Sequence, residues 1–274
     1  MRAAKIFILL TPTHSTDSNA EEGRSALGLF AKYSGREVDG VTQAVELLYC
    51  SDHGKKMQTV DGNLQPDPKK AIVLQDGDKI GIYMVGHKQD YDTNKPAKLI
   101  KTFLKERIAK APKVVETTDE KKKKPRSIQV TLDKVCLVLC DSAERLTKTR
   151  VTKTKDQPIV VQQANESNAA FKKRLNQDVK QYGLETSLLA ELCRRLAEEG
   201  YYPRLAGYVG AITAVGPIDI DKETGLSNKG FFPKELKVGQ KTPGFDKDAA
   251  KLYFVYEPGT GYIQRDFASW TDKP

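Results

Sequence analysis

Residues 6–10 (IFILL) form an unbroken apolar run that gives way to the polar TPTHSTDSN, and residues 21–33 (EEGRSALGLFAKY) bring apolar positions back at helical spacing. The pattern predicts strand, loop, helix. Residues 44–50 (AVELLYC) predict a second strand, and the stretch after it, with Asp61-Gly62 and Pro66, predicts a hairpin or loop. Residues 79–85 (KIGIYMV) are apolar at nearly every position, as expected of a strand covered on both faces of a mostly parallel sheet, and they end in Gly86-His87. In residues 96–108 (PAKLIKTFLKERI) a first-turn proline precedes one stripe of Leu99, Ile100, Phe103, Leu104 and Ile108, which predicts a helix with its lysines in water. Residues 135–139 (VCLVL) predict the next strand, and Cys140-Asp141-Ser142 follows directly. Residues 184–199 place Leu188, Leu189, Leu192 and Leu196 at helical spacing and stop at Gly200. Residues 208–215 (YVGAITAV) and 251–256 (KLYFVY) are the last strands expected.

Between these elements, residues 111–127 hold two prolines and a four-lysine block, and residues 147–168 are rich in Lys, Thr, Gln and Asn. Both are expected to be mobile loops within a single domain spanning residues 1–274, although IVVQ at 159–162 fits a short edge strand. Residues 216–250 are expected to form a flap or loop region. No internal repeat is present. The alternation of strands and helices implies an α/β fold, a three-layer α-β-α sandwich around a mostly parallel sheet, with a C-terminal β-flap. Ligands in such folds collect at the carboxyl ends of the strands, and His87 and Cys140 both belong there.

Composition narrows the choices. At 274 residues, 39% hydrophobic and 30% charged, the chain can bury one large core or two small ones. The first apolar run is too short for a signal-peptide core, and no stretch is long enough to span a bilayer, so a cytoplasmic site of synthesis is expected. The four cysteines, Cys50, Cys136, Cys140 and Cys193, include no CxxC pair and have no histidine at ligand spacing, so reduced thiols and no metal site are expected. A net charge of +9 invites a polyanionic partner. Nucleic acid is the less favoured one, because the basic runs at 98–126 and 148–155 lack interleaved aromatics and read as solvated surface. No GxGxxG or GxxxxGK[ST] occurs, which disfavours familiar nucleotide chemistry. His14 and His53 fall in turns and Trp270 in a tail that is expected to pack; none is assigned chemistry.

A thiol becomes a useful nucleophile when a neighbour takes its proton, and histidine does this near neutral pH. His87 and Cys140 at the tips of adjacent parallel strands would meet across a cleft, with backbone N–H groups after each strand able to hold an oxyanion. A cysteine at the end of an apolar strand is also commonly a small buried hydrophobe. Spacing alone leaves both readings open.

The runs KIGIYMVGHKQDYDTNKPAKLI, VCLVLCDSA and LAELCRRLAEEG with YVGAITAV resemble, in order, the caspase-like fold of clan CD cysteine peptidases, and most nearly the self-processing cysteine peptidase domain of RTX and large clostridial toxins. That resemblance covers most of residues 5–256. It implies that His87 is the general base, Cys140 the nucleophile, and the backbone N–H groups of Lys88 and Cys140 the oxyanion hole. Lys88 departs from the family pattern, which has glycine at that position. The resemblance further implies a protein substrate, delivery into another cell as an effector, and inositol hexakisphosphate as activator, bound through Lys229, Lys234, Lys237 and Lys241 of the flap. Because the first strand begins close behind Met1, the expected cut is in another protein or in the chain's own loops at 121–126 or 148–155. A second reading, motivated by Lys88 and the positive charge, is a catalytically silent caspase-like module that binds a protein or polyanion. A third is an α/β binding protein unrelated to peptidases.

Overall fold

The apolar runs become the strands of one sheet. The computed structural model describes residues 5–11, 16–38, 40–51, 56–87, 94–117, 123–139, 142, 159–163, 165–174, 187–208, 212–214, 231–233 and 251–265. In chain order these contain β1 (Lys5–Leu10), α1 (Thr16–Tyr33), β2 (Glu37–Val38), β3 (Val41–Thr42), β4 (Ala44–Ser51), β5 (Lys56–Val60), β6 (Lys79–Val85) and α2 (Lys95–Lys110). There follow β7 (Val114–Thr117), β8 (Lys123–Arg126), β9 (Thr131–Val138), a short helix α3 (168–174), α4 (Leu188–Glu198), β10 (Arg204–Tyr208), β11 (Ile212–Ala214), β12 (Phe231–Pro233), β13 (Lys251–Glu257) and β14 (Gly261–Arg265).

β1 lies inside the sheet, parallel to β4 on one side and to β6 on the other, and β9 and β10 extend the parallel run beyond β6. Numbered among themselves, these five parallel strands stand in the order 2-1-3-4-5, and antiparallel β5, β13 and β14 finish the two edges. The fold is mixed α/β with a mostly parallel central sheet. Side chains alternate between its faces. Phe7, Leu9, Ile82, Met84, Val135 and Leu137 meet the layer of α2 and α4, which supplies Phe103, Leu104, Leu192 and Leu196. Ile6, Ile8, Leu10, Tyr83, Val85 and Val138 face the other way, toward Ala26, Leu29 and Tyr33 of α1. Helices on both faces explain why KIGIYMV shows no polar alternation.

Several elements differ from the sequence expectation. The sheet strand is Arg204–Tyr208, not 208–215, and Ile212–Ala214 pairs separately with β12. Arg204 disguises that strand, because its charge is met by Asp133 Oδ2 at 2.6 Å while Leu205, Ala206 and Tyr208 are buried. Residues 111–127 are not one loop: β7 and β8 pair as an antiparallel hairpin, and Arg126 forks onto both oxygens of Asp76, each at 2.9 Å. α4 begins at Leu188 because Ser187 Oγ accepts a hydrogen bond from Ala190 N and caps it. The strand suggested by IVVQ is one bridge, in which Ile159 and Tyr262 exchange backbone hydrogen bonds of 2.7 and 2.9 Å. Gly261 makes that approach feasible: its φ is +112°, and a Cβ there would sit 2.6 Å from Ile159 O. Of the expected flap at 216–250, only β12 is described. Among the described residues, no helix is long and apolar enough to cross a membrane.

Candidate functional site

The carbonyl of Val85, the last residue of β6, accepts hydrogen bonds from Thr11 N at 2.9 Å and Thr11 Oγ1 at 3.1 Å. These ties join the tips of β1 and β6 and carry Gly86 and His87 just past the sheet edge. There His87 presents Nε2 to Glu22 Oε1 of α1 at 3.5 Å, with the histidine side chain 23% exposed and the carboxylate only 5%. At this separation the two buried atoms face each other without a hydrogen bond between them, and contacts of this kind commonly tighten when substrate binds.

Glu22 is absent from the sequence reading, although a signal for it exists. It lies on the helical stripe of Ala26, Leu29 and Tyr33, which packs against the sheet, and a carboxylate on an apolar stripe calls for a partner.

Cys140 lies outside the described residues, and so do Lys88, Lys229, Lys234, Lys237 and Lys241. What is described is the frame around Cys140. Val85 of β6 stands opposite Val138 of β9, and His87 and Cys140 each follow their valine by two positions. On the far side of Cys140, Ser142 is fully buried. Its Oγ donates to Leu137 O at 3.2 Å and accepts from Tyr208 N at 2.9 Å, while its carbonyl accepts from Leu189 N at 2.8 Å.

The three described thiols, Cys50, Cys136 and Cys193, are all buried. Burial, reinforced by Glu106, pushes the Cys50 thiol up to about 12, which keeps it protonated and inert.

The α1 face also holds a buried polar cluster. The hydroxyls of Tyr33 and Tyr83 meet at 2.6 Å, and Lys251 Nζ sits 5.2 Å from the centre of the Tyr208 ring and 5.3 Å from that of Tyr253. Lys134 runs its stem across Gly81, where a Cβ would meet Lys134 Cε and Cγ at 3.2 Å. Burial lowers the pKa of the Lys134 amine and nearby Arg204 and Arg36 lower it further, against the opposing pull of Tyr33 and Asp133. A separate groove of about 810 Å³ lies on the opposite face, lined by Lys98, Lys101, Lys105 and Ile108 of α2 and by Arg195 and Glu199. No protein-family model matches the chain, and no curated protein matches it either.

Proposed function

We propose that the chain is a cysteine endopeptidase of caspase-like fold, with Cys140 as nucleophile, His87 as base and Glu22 as the carboxylate that orients the base. The observation that carries this reading is the buried Glu22 carboxylate facing His87 Nε2, at the carboxyl end of the strand next to the one that leads into Cys140. The strand pairing supports it as well: β6, which leads into His87, lies parallel and next to β9, which leads into Cys140, as the caspase-like reading expects.

The chemistry runs in two halves. Cys140 Sγ attacks the scissile carbonyl carbon as His87 takes its proton; the C–N bond then breaks, and His87 returns the proton to the leaving amine. Backbone N–H groups of Lys88 and Cys140 hold the oxyanion in this scheme. In the second half His87 takes a proton from water, the hydroxide attacks the thioester, and the carboxylic acid leaves as the thiol re-forms. The substrate is another protein or the chain's own basic loops. Of the two internal targets, 121–126 contains the paired strand β8 (Lys123–Arg126), while 148–155 lies outside the described residues. An inositol polyphosphate activator, bound through Lys229, Lys234, Lys237 and Lys241, belongs to the same reading and is in keeping with the net charge of +9.

The test is a map of fragments from the purified full chain and candidate substrates, beside Cys140→Ala and His87→Ala, with and without inositol hexakisphosphate. New termini that vanish in both variants are expected, with a loss of at least about a thousandfold in rate. If no fragments form and Cys140 reacts with iodoacetamide no faster than a thiol in a short peptide, the reading fails in favour of a silent module that binds a protein or polyanion.

A further inference from the structure

β9 keeps its pairing with β6 as far as Val138 opposite Val85, but its ladder with β10 ends at Cys136 opposite Ala206. The two strands part company there, although each runs two residues farther. In an unbroken parallel ladder Tyr208 N would donate to a carbonyl of β9. Instead it donates to Ser142 Oγ at 2.9 Å, and that hydroxyl donates in turn to Leu137 O at 3.2 Å. One side chain has entered the ladder and replaced a backbone bond.

The same residue is held from a third direction by Leu189 N, in the first turn of α4, which donates to Ser142 O at 2.8 Å. With none of its surface exposed, Ser142 uses its hydroxyl as donor and acceptor and its carbonyl as acceptor. Only Leu139, Cys140 and Asp141 separate it from the end of β9. Leu139 is itself fully buried, so the chain is held in the interior on either side of residues 140 and 141.

We propose that Ser142 is a positioning residue for the nucleophile: its hydroxyl wedges β9 and β10 apart at their carboxyl ends and anchors the chain two residues beyond Cys140. This rests on the peptidase reading. It adds the prediction that the geometry of the thiol depends on a hydroxyl two residues away. Without that hydroxyl, Tyr208 N and Leu137 O are free to bond each other directly, so the ladder zips one step further and the anchor beyond Cys140 is lost at modest cost in stability.

The experiment follows alkylation of Cys140 by iodoacetamide, read by peptide mass spectrometry across pH, in the full-length wild type, Ser142→Ala and Ser142→Thr, with thermal melts of each. Wild-type Cys140 is expected to outpace a short-peptide thiol near neutral pH. Ser142→Ala should lose on the order of tenfold to a hundredfold of that rate, with its pH midpoint moved toward that of a free thiol, and Ser142→Thr should regain most of it. A fast wild type with an equally fast Ser142→Ala overturns the role of Ser142 and leaves the peptidase reading intact. A wild type no faster than the peptide overturns the peptidase reading, and the role falls with it. Hydrogen exchange of the wild type needs no variant to fold: the Tyr208 amide should be protected like that of Ala206, and free exchange at Tyr208 also overturns the proposal.

Discussion

Two buried glutamates, Glu46 in β4 and Glu22 in α1, face opposite layers of the same sheet and are held in opposite ways. Glu46 has no side-chain exposure and is met from every direction: by Arg107 of α2, by Thr59 Oγ1 at 2.5 Å and by Ile72 N at 2.8 Å. Arg107 is fixed in turn, lying over the rings of Phe103 and Phe7 at 5.6 and 5.9 Å. Glu22 faces an imidazole at 3.5 Å that is 23% exposed and sits on the chain just beyond a strand. A guanidinium never gives up its charge, whereas an imidazole exchanges its proton near neutral pH. Surrounded by fixed donors, the first carboxylate is a fastener between β4, β5 and α2. The second faces a part-exposed histidine at the sheet edge, which suits a proton-handling site.

Removing each carboxylate should separate the two roles. Glu46→Ala leaves Arg107 uncompensated in the interior and should cost about 3–5 kcal/mol of stability, measured by urea unfolding, with the reactivity of Cys140 per folded molecule unchanged. Equal losses from Glu46→Ala and Glu22→Ala in the same titration would dissolve the contrast. Glu22→Gln keeps the shape and removes the charge, so alkylation or turnover at Cys140 should fall on the order of tenfold to a hundredfold with a much smaller shift in melting temperature than Glu46→Ala produces. Unchanged turnover in that variant would remove Glu22 from the site.

The thiols give a sharper version of the contrast. With the Cys50 thiol pushed up to about 12, iodoacetamide at pH 8 should leave Cys50 unmodified in the folded protein while Cys140 is labelled. Labelling of Cys50 at a comparable rate would mean that the α2 face opens as readily as the edge at His87.

The smallest effect concerns an exposed pair. Arg126, followed by the Gln129 amide, holds the Asp76 carboxyl down at about 2, so its folded pKa lies below the ordinary ~3.9. A depressed carboxyl contributes stability above that ordinary value and loses it as pH falls through the folded one. The anchor of the β7–β8 hairpin should therefore persist at pH 5 and weaken from about pH 4 toward 2, seen as a rise in exchange at Gln129. Because Asp76 and Arg126 are solvent-facing, added salt should shrink the change, while the Glu46–Arg107 pair should barely respond.

The central strands were readable from their composition alone. A strand covered on both sides must be apolar throughout, and IFILL and KIGIYMV meet that condition within a residue of where β1 and β6 lie, while VCLVL marks only the second half of β9, which begins four residues earlier. Since such strands run parallel, His87 was placed at a sheet edge from its position after Val85. Edges and turns were less legible: RLAGY looks half polar until Arg204 finds Asp133, and KKPR looks like open loop until it pairs with Val114–Thr117. In both cases the deciding partner is far away in the chain.

By itself the amino-acid sequence determined the alternation of strands and helices, the apolar faces that order them into a sheet, and His87 as a candidate beside Cys140. Local periodicity suffices for these, because burial on one or two faces leaves its mark every two residues or every three to four. Tertiary structure alone decided that Glu22 faces His87, which strand tip Ser142 wedges, and which donors surround Glu46. Those choices depend on side chains brought together across 65 and 66 positions, from Glu22 to His87 and from Ser142 to Tyr208, and no periodicity along the chain encodes a meeting between its distant parts.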